Sequence, residues 1–340
     1  MKTILFVFGT RPETIKVAPL ILRLKKNPNY KVLVCSTGQH REMLKPLLHF
    51  FNITPDFDLD LMTPGQALTI FSSRLMQGLQ GILDREKQSG HQVDQMIVQG
   101  DTTSSLIGGL VAFYNQIEVI HLEAGLRSHN IYSPFPEEFN RKALSLATNI
   151  HLAPTPEAKQ NLLNENIESE KIYITGNTGI DALFEVKRTI ENTKALREQF
   201  ESDFSYLDQT KKLILVTMHR RESFEKNIKM VMQGILDLAL IRTDIEFLIP
   251  LHLNPEVRKI AASVFQHKPN NIHLVEPIDY IPFVYVMNRS HFIITDSGGI
   301  QEEAPSLGKP VLIARENTER PEAITAGTSK LVALEKNEFK

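Results

Sequence analysis

The chain has 340 residues, 42% of them hydrophobic and 23% charged, the make-up of a globular protein long enough to build two cores. Lys and Arg total 38 against 40 Asp and Glu, so the bulk positive charge needed for non-specific binding to nucleic acid or an anionic membrane is missing. One cysteine, Cys35, cannot form an internal disulfide and points to the reducing cytoplasm, with a buried strand thiol as its plainest role.

The first predicted strand covers residues 4–8. Its apolar run is too short for a signal peptide, and Gly9-Thr10-Arg11-Pro12-Glu13 follows where a cleavage site would stand. No apolar run approaches the ~20 residues that span a bilayer. Further strands are expected at residues 31–36, 95–98, 118–122, 150–153 and 171–175, with segments of helical period between them. The charged stretch 191–209 reads as a joint or outer decoration. The pattern then repeats, with strands at 212–218, 246–250, 272–275, 291–295 and 310–313. Such alternation predicts an α/β protein with two parallel sheets. The domain boundary is placed between Thr175 and Leu213 and taken as 1–175 and 176–340. No internal repeat or coiled-coil heptad occurs.

In open parallel sheets ligands bind beyond the carboxyl ends of the strands, and the unusual polar clusters fall there. Arg11, after the first strand, is placed for a diphosphate oxygen or else pairs with Glu13. Asp101 follows Gly100 at a strand end, as a helix cap or as an acid of the chemistry. Glu123 lies between a buried strand and Ala124-Gly125, where desolvation perturbs a carboxylate. Glu137 and Glu138 open a helix, which the helix dipole and an i,i+4 pair of Glu137 with Arg141 would also explain. His219-Arg220-Arg221-Glu222 puts an imidazole and two guanidiniums at a strand end, more than structure requires. His252 either contacts substrate or satisfies its own backbone. Thr295-Asp296-Ser297-Gly298-Gly299 breaks a buried strand into a helix whose free N–H groups suit phosphate, with Glu302 and Glu303 one turn in, within reach of a ribose hydroxyl. No Cys/His cluster suited to zinc is present, so no metal is expected.

Together these strings resemble the non-hydrolysing UDP-N-acetylglucosamine 2-epimerases. The resemblance is carried by Phe8-Gly9-Thr10-Arg11-Pro12-Glu13, Gln39-His40-Arg41, Gly100-Asp101-Thr102-Thr103, Glu123-Ala124-Gly125-Leu126-Arg127, Pro136-Glu137-Glu138, Thr175-Gly176-Asn177-Thr178, His219-Arg220-Arg221-Glu222, His252-Leu253-Asn254-Pro255, residues 296–310 and Thr318-Glu319-Arg320-Pro321-Glu322, and so runs from end to end. It implies the GT-B fold, two Rossmann-like domains facing across a cleft, and reversible epimerisation at C2 of UDP-N-acetylglucosamine to the mannosamine epimer. The implied route is loss of UDP to a 2-acetamidoglucal followed by its re-addition, with no cofactor.

Residue by residue, Asp101, Glu123 and Glu137 match the family's catalytic carboxylates, with individual roles open, and His219 its catalytic histidine. Arg11, Ser297, Gly298 and Gly299 match diphosphate ligands, Glu303 the ribose contact, and Lys16, Arg141, His252 and Arg320 further polar positions in the cleft. A second UDP-N-acetylglucosamine as activator would use Gln39, His40, Arg41 and Gln66. A cytoplasmic homodimer serving cell-surface polysaccharide synthesis is also implied, as are C-terminal helices beyond Lys340. The chain departs from the common pattern at Met218, Gln99 and Glu316-Asn317, none of them a proposed acid. Readings that share the fold and pocket are a 2-epimerase of another UDP-2-acetamido sugar, a hydrolysing 2-epimerase and a UDP-sugar glycosyltransferase. A non-catalytic UDP-sugar sensor would have no use for three acids and a histidine.

Overall fold

Continuous apolar runs such as Ile4-Leu5-Phe6-Val7-Phe8 are buried along their whole length, as strands covered on both faces must be. The computed structural model describes residues 1–39, 41–63, 65–218, 226–315, 324 and 326–332, with side chains for all of these except 41, 42, 226 and 227. It divides into two compact units, Met1–Ala182 and Leu183–Lys340.

The first unit runs β1 (Lys2–Phe8), α1 (Arg11–Lys25), β2 (Tyr30–Ser36), α2 (Arg41–Phe50), β3 (Phe57–Asp58), α3 (Leu68–Gln88), β4 (Gln95–Gln99), α4 (Thr103–Tyr114), β5 (Glu118–Leu122), α5 (Glu137–Ala147), β6 (Ile150–Ala153), α6 (Pro156–Asn164), β7 (Ile172–Ile174) and into α7 (Thr178–Asn192). Its strands are all parallel in the order β3-β2-β1-β4-β5-β6-β7. α3 shows why these segments are helices: Phe71, Leu75, Leu79, Ile82 and Leu83 recur on one face and are buried. They close over Leu5, Val7, Met96 and Val98 of the sheet. Cys35 on β2 belongs to the same core, and burial pushes its thiol up to about 12, so it is an inert packing residue.

The second unit continues with α8 (Lys194–Asp203), β8 (Lys212–Thr217), α9 (Lys226–Ile241), β9 (Ile245–Pro250), α10 (Pro255–Val264), β10 (Ile272–Val275), α11 (Tyr280–Arg289), β11 (Phe292–Thr295), α12 (Gly298–Ser306), β12 (Val311–Ile313) and β13 (Ser329–Leu331). Its parallel order is β10-β9-β8-β11-β12-β13. Two Rossmann-like units of parallel sheet and helix are the α/β fold class expected from the sequence. No helix among the described residues is long and apolar enough to cross a membrane. The stretch 191–209 is more than a joint: Phe200 of α8 and Phe204 after it lie against Tyr285 of α11, with ring centroids 5.4 and 5.8 Å apart.

Gly125, after β5, combines a positive φ of 90° with contact so close that a Cβ would stand 2.2 Å from the Ala158 carbonyl oxygen of α6. Gly90 has φ 77° but open space around it. We expect Gly125→Ala to destabilise the fold by about 3 kcal/mol, because strain and overlap add. Gly90→Ala should cost only about 1 kcal/mol, from the left-handed backbone alone. Urea unfolding of the two variants checks the contrast, and equal losses would contradict it.

Candidate active site

A doubly wound sheet opens a crevice where its strand order reverses. In the first unit that point lies between β1 and β4, and the loops after these strands are tied together by a buried carboxylate. Glu13, in the first turn of α1, is 1% exposed. Its Oε2 accepts the Gly9 N–H at 3.1 Å, the Thr10 N–H at 2.8 Å and the Thr10 hydroxyl at 2.7 Å. Its Oε1 accepts the Thr102 hydroxyl at 2.7 Å and faces the Ser105 hydroxyl at 3.1 Å. Glu13 is thus turned inward and occupied, while Arg11 beside it is exposed. The pairing of Arg11 with Glu13 is therefore not what the fold builds.

Asp101 follows β4. It is not the helix cap, because Thr102 caps α4 by accepting the Ser105 N–H at 3.1 Å. The Asp101 carboxylate instead meets Arg141 of α5, whose Nε and Nη2 reach the same oxygen, Oδ2, at 3.0 and 2.6 Å. The third arm, Nη1, donates to Glu138 Oε2 at 2.9 Å. Glu138 is fully buried and also accepts the N–H groups of Ser128 and His129. Burial alone would raise its carboxyl, but these N–H groups and Arg141 outweigh it and hold it below the usual range. The expected i,i+4 partner of Arg141 was Glu137; the partner built is Glu138, one position on. Glu137 opens α5, and its Oε2 is buried with no hydrogen-bond partner among the described residues.

Glu123 follows β5 with φ 66°, the left-handed region that a non-glycine residue occupies at a cost and mostly at functional sites. Its Oε2 takes Lys16 Nζ of α1 at 2.5 Å and also the Gln99 side-chain amide. The stem of Lys16 lies against the Asn177–Gly179 turn, where the Gly179 N–H donates to Asn177 Oδ1. Downstream, Arg127, whose side chain is fully buried, grips Glu165 with two bonds of 2.9 and 2.7 Å and anchors the loop on which Glu123 stands. Among the described residues, neither Glu123 Oε1 nor Asp101 Oδ1 accepts a hydrogen bond. Each acid is thus fixed by one oxygen and presents the other.

Two of the residues matched to an activator site are described with their side chains. Gln39 Oε1 accepts the Ser104 hydroxyl at 3.3 Å. Gln66 Oε1 accepts both polar hydrogens of Thr63, and its amide nitrogen is buried without a partner among the described residues. His40 and the side chain of Arg41 lie outside the described residues.

In the second unit the order reverses between β8 and β11. Thr217 and Thr295 join these strands through their hydroxyls at 2.7 Å, and Thr295 Oγ1 accepts the Ser297 N–H at 2.9 Å. Ser297 is the N-cap of α12, yet its side chain makes no capping bond. The first turn, with Gly298 buried and Gly299 exposed, therefore offers its N–H groups and positive dipole end to an anion. Among the described residues, a Cβ on Gly299 would meet nothing within 4 Å. Glu303 is half-buried on the same helix, beside the buried hydroxyl of Tyr280, which burial and the Glu303 charge push up. His252 is exposed; its Nδ1 accepts the Asn254 N–H at 3.2 Å, the local backbone role. His219, Arg220, Arg221, Glu222 and Arg320 lie outside the described residues.

The structure thus pairs Lys16 with Glu123 and Arg141 with Asp101 after adjacent strands of the first unit, and puts Ser297, Gly298, Gly299 and Glu303 at the cap and along one helix in the second. Sequence reasoning missed Glu13, Gln99 and Glu138 as supports of these pairs. The run Gly9-Thr10-Arg11-Pro12-Glu13 did carry a signal for the first: an acid three residues after a threonine N-cap.

A family model described as UDP-N-acetylglucosamine 2-epimerase matches residues 22–339. The UDP-N-acetylglucosamine 2-epimerase of Escherichia coli K12 is 48% identical over 333 residues, which cover 98% of this chain and 87% of that protein. The enzyme of the same name from Campylobacter jejuni is 44% identical, over 98% and 86%. Among solved structures, the Neisseria meningitidis UDP-GlcNAc 2-epimerase bound to UDP-GlcNAc superposes with a TM-score of 0.87 at 47% identity, covering 100% of this chain and 89% of that one. The Methanocaldococcus jannaschii UDP-GlcNAc 2-epimerase gives 0.86 at 32% identity, covering 100% and 90%. With these matches beside the paired acids of the first unit and the uncapped glycine turn of the second, the chain belongs to the UDP-N-acetylglucosamine 2-epimerase family.

Proposed function

We propose that this protein interconverts UDP-N-acetylglucosamine and UDP-N-acetylmannosamine without hydrolysing them. The C2 hydrogen is not adjacent to a carbonyl, so removing it alone would leave an unstabilised carbanion. Elimination avoids that state. A carboxylate takes the C2 proton, the C–H electrons become the C1=C2 double bond, and the C1–O bond breaks to release UDP. A proton delivered to C2 from the opposite face, with UDP returning to C1, gives the epimer.

The observation that carries this reading is the pair of carboxylates after adjacent strands, Glu123 and Asp101, each held through one oxygen by a fixed cation. Epimerisation needs proton transfer on two faces of one carbon, and two separately mounted acids meet that need. Glu137 is the third candidate acid. Arg141 and Lys16 mount the acids; Arg11 and the Ser297-Gly298-Gly299 turn take the diphosphate, and Glu303 the ribose. His219, by its match to the family's histidine, steadies departing UDP. The resemblance adds His252 and Arg320 as sugar-nucleotide contacts, a homodimer, and activation by a second UDP-N-acetylglucosamine at Gln39, His40, Arg41 and Gln66. A strictly hyperbolic rate curve argues against that activation.

The deciding experiment is NMR of UDP-N-acetylglucosamine with enzyme in deuterium oxide, which reports product, hydrolysis and C2 exchange together. Deuterium at C2 of both epimers is expected. Free N-acetylmannosamine with UDP would make the protein a hydrolase instead. Glu123→Gln should fold normally and lose both epimerisation and C2 exchange by ~10²-fold or more; near-normal exchange would remove Glu123 from the mechanism. Gly299→Asp has room for its Cβ among the described residues but sets a negative charge where the diphosphate is to bind. It should raise KM by about tenfold and let UDP and 2-acetamidoglucal escape into solution, and an unchanged KM with no free glucal would contradict the assignment.

A further inference from the structure

Two residues before Glu123, β5 carries a histidine that the chemistry above does not use. His121 is 0% exposed, and its Nε2 lies 2.7 Å from the carbonyl oxygen of Gly100, the residue before Asp101. We propose that His121 is a positioning residue of the epimerisation: by donating its Nε2–H to Gly100, it fixes the turn that carries Asp101 against the strand that leads into Glu123. The inference rests on the proposed function and adds the element that sets the two acids' separation.

A carbonyl oxygen only accepts, so the proton of the neutral ring must be on Nε2. The other nitrogen, Nδ1, is buried with no partner among the described residues, a state that disfavours burial and that an apolar side chain of similar size would avoid. Packing alone therefore does not account for an imidazole here. Gly100 is left-handed, with φ 70°, and its own N–H donates to the carbonyl of Leu122 at 2.9 Å. Both polar groups of Gly100 are thus bonded to consecutive residues of β5. The next carbonyl, that of Asp101, accepts the side-chain amide of Asn140 from α5 at 2.8 Å. The Gly100-Asp101 turn is held from two elements at once, and His121 is its only side-chain tie to the strand of Glu123 among the described residues.

The surroundings keep this donor neutral. His151 stands beside His121 in the β5–β6 register, and the positive charges of Arg127 and Arg141 act on the ring. Burial first, then these positive neighbours, depress the imidazole to about 3, although its bond to Gly100 opposes the shift. The tie therefore persists over the whole range in which the carboxylates work.

The test combines ring-nitrogen NMR of the full chain labelled with ¹⁵N-histidine and kinetics of three variants. The His121 signals should show Nε2 protonated and Nδ1 bare, with no titration between about pH 5 and 8. His121→Phe should lower kcat by ~10²-fold with little change in KM, since a small misplacement of a reacting group costs that much. His121→Gln, whose amide reaches the Nε2 position, should recover most of the loss. His121→Asn, whose amide reaches only the Nδ1 position, should not; this pair decides the matter if the Phe variant does not fold. A proton on Nδ1, near-normal kcat in both the Phe and Asn variants, or equal losses in the Gln and Asn variants would overturn the proposal. If the unaltered enzyme makes no epimer, the proposed function fails and the positioning role with it, while the nitrogen spectra report separately on the tie itself.

Discussion

Glu13 places a carboxyl group where water does not reach and surrounds it with hydroxyl and N–H groups from two loops. Burial pushes this acid up, and the hydroxyls of Thr102 and Thr10 and the N–H groups of Gly9 and Thr10 pull against that shift. Taking an acid out of water costs several kcal/mol, and a hydrogen bond to a charged group returns about 1.5–3 kcal/mol. Only a nearly complete set of donors makes such a site tolerable. That requirement welds the turn after β1 to the turn after β4, which are the two turns at the reversal of strand order. Lys16 stands one turn further along α1 and Asp101 just before Thr102, so both inherit their positions from this knot.

The two candidate acids are mounted on different cations. Arg141 offers a planar fork that binds Asp101 with two arms and Glu138 with the third, so the orientation of Asp101 is fixed by a group that cannot lose its proton. Lys16 is a point charge on a flexible stem, and the direction of Glu123 is completed by the amide of Gln99 and the left-handed backbone. Glu138 acts on Asp101 through Arg141: its Oε2 accepts both the guanidinium and the Ser128 N–H, and its Oε1 the His129 N–H. The long connection from Glu123 to α5 is thus stitched to the guanidinium that serves the other acid.

The strands of both sheets were legible because buried parallel strands are unbroken apolar runs. β3 and β13 were not, being two and three residues long and held by their neighbours rather than by any pattern of their own. The charges of residues 191–209 hid Phe200 and Phe204, whose packing on Tyr285 makes that stretch part of the second unit. Asp101 and Glu123 could be picked out from their places at strand ends. Lys16 and Arg141 entered the site only through the resemblance, and which acid each would hold was not legible, since Arg141 is 40 residues from Asp101 and Lys16 is 107 from Glu123. Glu137 and Glu138 are neighbours in sequence but point about 100° apart on a helix, and nothing in the string of letters says which of them turns inward.

Cys35 bears on how the protein can be handled. The only thiol of the chain is fully enclosed by the first core and far from its reactive, ionised form. Reagents that attack thiolates will pass it by while the fold is intact. A cysteine introduced on the surface, for instance at the exposed Lys194, would then be the single reactive sulfur in the native protein. A fluorophore or spin label can be placed at one chosen position without first removing a native residue, and any later reaction at Cys35 reports that the core has opened.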